Sequence, residues 1–270
     1  MIRQYLILAF TIGVTGCVTY SDGLGLEVPK ISSEDNIIVY SGYDDIVYSF
    51  GAEVISDMNK VSYYVSYDSV NKIPRWVAYD LSTDELNGVA SRKGMSFKQD
   101  PRVKFPQADD ADYRNSGWTR GHLAPAADFK WSDQAMNDTF YYTNCCPQVE
   151  YFNGISWEKL ENRVRKWANQ FGKVFLVTGT IVGSNLYGKL GANEITIPDA
   201  FYKAILVSDG VSYHSVGFVM NNTAEIQPYV NCAVSINCLE DITGEDFFPL
   251  LDDEYEEIVE ETVDKHFWGL

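Results

Sequence analysis

Histidine is scarce in this chain, with three residues at scattered positions 122, 214 and 266, and no Cys-x-x-Cys pair occurs among the five cysteines. The spaced ligand sets that hold structural zinc are therefore missing. Positive charge is also in short supply: 21 Lys and Arg face 38 Asp and Glu, for a net charge of -17. Such a chain repels polyanions at long range, which argues against a simple basic nucleic-acid-binding module. The apolar run near the N-terminus, Tyr5 to Val14, is ten residues long, whereas a bilayer core needs about 20. No internal repeat or low-complexity tract organises the sequence.

That N-terminal run follows the positive stretch Met1-Ile2-Arg3-Gln4 and ends in Val14-Thr15-Gly16-Cys17. It reads as a signal peptide over 1–16 of the bacterial lipoprotein type, with Cys17 as the lipidated first residue of the mature chain. An ordinary secretory signal with a chance cysteine is the alternative, and both imply export. Residues 17–44, rich in Ser, Gly, Asp and Tyr, read as a tether in which Asn36 to Tyr40 has the pattern of an edge strand. Residues 45–270 then suffice for one sizeable core. In an oxidising compartment Cys145, Cys146, Cys232 and Cys238 permit disulfides in three connectivities, which sequence does not choose between.

Val61 to Tyr67 alternates, Asp68 to Lys72 is turn-prone and Arg75 to Leu81 is strand-like, giving a hairpin. Ser82 to Gly117 is polar and irregular. Lys173 to Val182, Ala200 to Val207 and Tyr213 to Met220 read as strands, Ala233 to Ile236 as a further one, and Asp253 to His266 as an acidic helix. Strands and helices do not alternate regularly. The expected class is α+β, a mostly antiparallel sheet flanked by helices.

The chemistry centres on Trp118-Thr119-Arg120-Gly121-His122-Leu123-Ala124-Pro125-Ala126-Ala127-Asp128-Phe129. If Thr119 to Leu123 is extended, Arg120 and His122 project to one side, a cation beside a base, and Gly121 leaves room for a close neighbour. Phe140 to Gln148 has strand character and carries Asn144. Beyond Asn153, the residues Trp157, Leu160, Val164, Trp167 and Phe171 recur at helical steps, so Glu161 and Arg165 lie one turn apart on a neighbouring face.

In this order the motifs resemble those of the DNA/RNA non-specific endonucleases, the ββα-metal, His-Asn-Asn type. The resemblance is carried by Arg120-Gly121-His122-x-x-Pro125, by Asn144-x-x-Pro147-Gln148, and by Asn153 with Trp157 and Glu161; weaker similarity lies in Pro74 to Tyr79, Ile197 to Lys203 and Thr243 to Phe248. It implies a Mg²⁺-dependent phosphodiesterase, with Mn²⁺ as a substitute, acting on DNA and RNA and leaving 5′-phosphates. It further implies that His122 is the general base, Asn153 the direct metal ligand and Glu161 a contact to the metal through water. Arg120 and Arg165 would bind the phosphate, and Asn144 would hold the motif in register. The pattern departs at one place: the family carries an acidic residue where this chain has Thr119, a side chain expected to point away from His122 and to trim local support.

Residues 92–173 hold thirteen Lys and Arg against ten Asp and Glu, a local surplus of the sign a phosphate surface requires. Two other readings compete: a non-catalytic surface lipoprotein that uses the same fold to bind, and a phosphodiesterase acting on a small nucleotide. Homodimerisation is left open.

Overall fold

The structure, a computed structural model, describes residues 62–103, 106–183, 186–249, 251 and 253–270. The leader over 1–16, Cys17, the tether over 17–44 and the strand expected at Asn36 to Tyr40 lie outside these residues. β1 (Tyr64–Asp68) and β2 (Ile73–Ser82) form the expected antiparallel hairpin. Its turn is held by Asp68 Oδ1, which accepts from the backbone N–H groups of Val70 and Asn71. The polar stretch that follows carries two one-turn helices, α1 (Thr83–Leu86) and α2 (Asp110–Tyr113), and leads into β3 (Thr119–His122), α3 (Asp133–Asp138) and β4 (Cys145–Gln148). A π-helical turn over Phe152–Trp157 opens α4 (Glu158–Phe171), which stops at Gly172 with its positive φ of 83°.

The remaining elements are β5 (Lys173–Ile181), β6 (Lys189–Leu190), β7 (Ile195–Thr196), β8 (Ala200–Ser208), β9 (Tyr213–Asn221), β10 (Ala233–Val234), α5 (Ile236–Thr243), α6 (Asp253–Glu261) and α7 (Lys265–Trp268). The main sheet has six strands in the order β1-β2-β5-β8-β9-β10, antiparallel at every junction. The fold is α+β, as expected. Central β8 is buried on both faces. Phe201, Ile205 and Val207 join the core beneath α4, while Tyr202 and Ala204 pack with Ile236, Leu239 and Phe247 on the side of α5. Alternation then puts Lys203 on the α4 face, where its ammonium lies 4.7 Å from the Trp157 ring centre.

Three expected elements differ. Of Phe140 to Gln148 only Cys145–Gln148 is strand; Tyr142–Asn144 forms a 3₁₀ turn because the Asn144 side chain takes up backbone groups that a ladder would otherwise use. The strand expected over Ala233 to Ile236 ends at Val234, since Ser235 caps α5 by accepting from Cys238 N–H. The C-terminal helix is two helices, the second capped by Asp264, which accepts from Phe267 N–H at 2.9 Å. All four cysteines among the described residues are free thiols.

Candidate active site

β3 and β4 form an antiparallel ribbon beside the main sheet, in the register Thr119↔Gln148, Arg120↔Pro147, Gly121↔Cys146 and His122↔Cys145. With α4 they make a ββα unit. Alternation turns Arg120 and His122 to the same neighbour, Phe97: the His122 ring centre lies 4.9 Å from that of Phe97, and the Arg120 guanidinium 5.9 Å from it. Phe140 closes on the imidazole edge to face at 5.1 Å. His122 Nε2 is buried there without a hydrogen-bond partner. Burial first, and then the Arg92 charge, push the imidazole down to about 3, so His122 is neutral at ordinary pH and available as a base. The room at Gly121 is taken by the neighbouring strand, since a Cβ there would sit 2.0 Å from the buried Gln148 side chain.

Arg120 is held from two sides. Its Nη2 donates to Asp110 Oδ1 at 2.8 Å and its Nε to the Tyr142 hydroxyl at 3.1 Å, while that hydroxyl donates to the same Asp110 oxygen at 2.7 Å. The guanidinium stacks over Tyr113 at 4.9 Å. It borders an open hollow of about 430 Å³ whose walls include Phe97, Asp110, Tyr113 and Arg114.

Asn144 is fully buried and fully used. Its Oδ1 accepts from Ala124 N–H at 2.9 Å, and its Nδ2 donates to the carbonyls of Ala124 and Thr139 at 2.9 and 2.8 Å. It clasps the chain just beyond His122 to the start of β4, a positioning duty without contact to open space. Asn222, which the sequence reading left aside, does the same at the other end: it accepts from Val149 N–H and donates to the carbonyls of Pro147 and Pro198.

Asn153 lies in the π turn, the irregularity most often found at functional sites. Its backbone N–H donates to Val149 O at 2.9 Å and its Nδ2 to Thr119 Oγ1 at 3.2 Å. Thr119 therefore supports the asparagine of the site, which the alternation argument did not foresee. Two turns on, Glu161 and Arg165 belong to a charged network under α4. Arg165, expected on a phosphate, is 18% exposed and donates to Asp128 Oδ1 at 2.6 Å, with Glu161 Oε2 at 3.5 Å. The Tyr79 hydroxyl donates to the other Asp128 oxygen at 2.7 Å. Burial pushes the Glu161 carboxyl up against the pull of the Lys203 ammonium and the Arg165 guanidinium, and Lys203 is anchored by donating to Thr178 Oγ1 at 2.8 Å. A buried carboxylate such as Asp128 needs such a partner, so Arg165 here neutralises it and ties α4 to the 3₁₀ turn over Ala126–Asp128.

The candidate metal donors are hard oxygens, the Asn153 amide in the π turn and the Glu161 carboxyl two turns further along α4. This set fits Mg²⁺, which keeps most of its waters and takes one or two protein oxygens. Arg92, Phe97, Asp110, Asp128 and Lys203 are the contributors sequence reasoning missed. Lys203 carried a signal through the Ile197 to Lys203 similarity and Asp128 by lying in the Trp118 to Phe129 stretch, without a role being assigned to either; the first three lie in the irregular segment, where no periodicity marks them.

Residues 46–254 match the family described as DNA/RNA non-specific endonuclease. The chain is 36% identical over 208 residues to mitochondrial nuclease EXOG of Danio rerio, covering 70% of this chain and 60% of that protein. It is 33% identical over 204 residues to mitochondrial endonuclease G of Homo sapiens, covering 71% and 69%. To nuclease C1 of Cunninghamella echinulata var. echinulata it is 34% identical over 212 residues, covering 72% and 83%. The aligned stretch spans about three fifths of the length of the EXOG relatives. A crystal structure of the EndoG/EndoGI complex is similar with a TM-score of 0.67 at 30% identity, over 72% of this chain and 85% of that one. With this agreement of sequence and fold, the chain belongs to the DNA/RNA non-specific endonuclease family.

Proposed function

We propose that this protein is a Mg²⁺-dependent endonuclease that hydrolyses the phosphodiester bonds of DNA and RNA with little sequence preference, leaving 5′-phosphates. The observation that carries this reading is His122, kept neutral in an aromatic slot with a partnerless nitrogen and flanked by Arg92 and Arg120. Its imidazole takes the proton of the attacking water. Arg120, prealigned by Asp110 and Tyr142, binds the phosphate and offsets the charge that builds on it. Asn153 would hold the metal directly and Glu161 through water; the ion, when bound, would supply Lewis acidity and acidic water at the site. Phosphates are common to every sequence, so a site built from these contacts discriminates little between bases.

The Val14-Thr15-Gly16-Cys17 box and the leader before it support export and lipid anchoring at Cys17 to a bacterial membrane, periplasmic or cell-surface. Metabolic labelling with palmitate should mark the wild-type chain and not Cys17→Ala; equal labelling would contradict the anchor. For the activity, supercoiled plasmid, single-stranded RNA and a small nucleotide diester are incubated with purified protein, with Mg²⁺ or with chelator. Metal-dependent cleavage of both polymers is expected. Cleavage of the small diester alone would replace the reading with a nucleotide phosphodiesterase, and binding without turnover would replace it with a binding module.

A further inference from the structure

We propose that Thr119 is a positioning residue that fixes which end of the Asn153 amide faces the metal, an inference that rests on the nuclease assignment above. Thr119 Oγ1 lies 2.9 Å from the carbonyl oxygen of Gln148. A carbonyl only accepts, so the single hydroxyl proton is committed to it, and Thr119 has only lone pairs left to offer. Asn153, 3.2 Å away, must then present its NH₂ end. Turned the other way, Oδ1 would face lone pairs instead of a proton. The bond to Thr119 thus selects the amide orientation that leaves Oδ1 free as the hard oxygen donor Mg²⁺ requires.

The geometry around this contact is rigid. Thr119 and Gln148 are register partners at the end of the β3–β4 ribbon, and the backbone N–H of Asn153 is tied to Val149 O, one residue beyond Gln148. Asn153 is therefore located by two bonds, one to its backbone and one to its side chain, both referred to the same ribbon end. An acidic residue at 119 would also accept from the Asn153 NH₂, but it has no proton for the Gln148 carbonyl. Threonine meets both demands and adds no charge. The departure from the family pattern keeps the orienting bond and drops a negative charge beside the Asn153 amide.

The test measures Mn²⁺ binding to the full chain without nucleic acid, by electron paramagnetic resonance of the free ion, together with thermal melting. Thr119→Val keeps the shape and removes the hydroxyl; removing the partner that orients a metal ligand typically costs about 10- to 100-fold in affinity, and that loss is expected here. Thr119→Ser, which restores the hydroxyl, should bind close to wild type. Wild-type affinity in Thr119→Val, or failure of a normally melting Thr119→Ser to bind, would overturn the inference while Asn153→Ala still loses the ion. Equal binding by wild type and Asn153→Ala would overturn it at a different point, by removing Asn153 as the ligand.

Discussion

His122 is an imidazole whose protonation is set by packing. Packing against Phe97 and Phe140 disfavours the charged ring, and Arg92 adds a like charge, so the group is pushed down to about 3. Because the folded value is below the ordinary one near 6.5, the stability it confers is present above that pH and is lost as pH falls toward 3. The acid limb of kcat/KM should likewise lie well below 6.5. Arg92→Ala should move it upward. A limb at or above 6.5 in the wild type, indifferent to Arg92, would contradict this environment for the base. The pairing of Arg120 with His122 was legible from two-residue alternation alone. The aromatic slot was not, because Phe97 comes from an irregular segment that only tertiary structure brings against β3.

At the scale of the element, the ββα unit depends on side chains that tie backbone to backbone. Asn144 makes three buried hydrogen bonds, two to Ala124 just beyond β3 and one to Thr139 at the end of α3, and each buried group left unpaired costs about 1–3 kcal/mol. Asn144→Ala should therefore lower the unfolding free energy in urea by roughly 3 kcal/mol and reduce cleavage by displacing His122. An unchanged urea midpoint would remove it as the clasp. The helix α4 was legible because its stripe, Trp157, Leu160, Val164 and Trp167, is buried as the periodicity required, with Phe171 at its end half-buried. Its π-turn opening had no sequence signal. The strand before it was read too long, since apolar Phe140, Tyr141 and Tyr142 look the same to a period-two pattern whether they extend or turn.

Across the whole molecule, the excess of acid is concentrated away from the site. Glu260 of α6 is 5% exposed, its Oε1 has no hydrogen-bond partner, and it lines a cavity of about 490 Å³ with Glu240, Asp246 and Glu256. Burial, then repulsion from Glu240, Glu256 and Asp246, raise its carboxyl to about 8. The folded value lies above the ordinary one near 4.3, so this group's contribution is intact at acid pH and is lost as pH rises from about 4.3 toward 8. Glu260→Gln should raise the melting temperature at pH 8 and leave it nearly unchanged at pH 4.5. An equal loss at both would contradict the repulsion. The sequence disclosed the charge surplus and the local positive balance of residues 92–173, but not that Glu260 of α6 meets Glu240 of α5 and Asp246, which only tertiary structure brings together.

The proposed activity requires a neutral His122 acting as base together with a hydrated ion at Asn153. The most direct measurement is single-turnover cleavage of plasmid DNA at saturating Mg²⁺ by wild type and His122→Ala, with circular dichroism to establish that both are folded. Loss of a positioned general base typically costs about 10²- to 10⁴-fold, and the account predicts that loss with the fold and metal binding retained. Cleavage by a folded His122→Ala protein at the wild-type rate would contradict it.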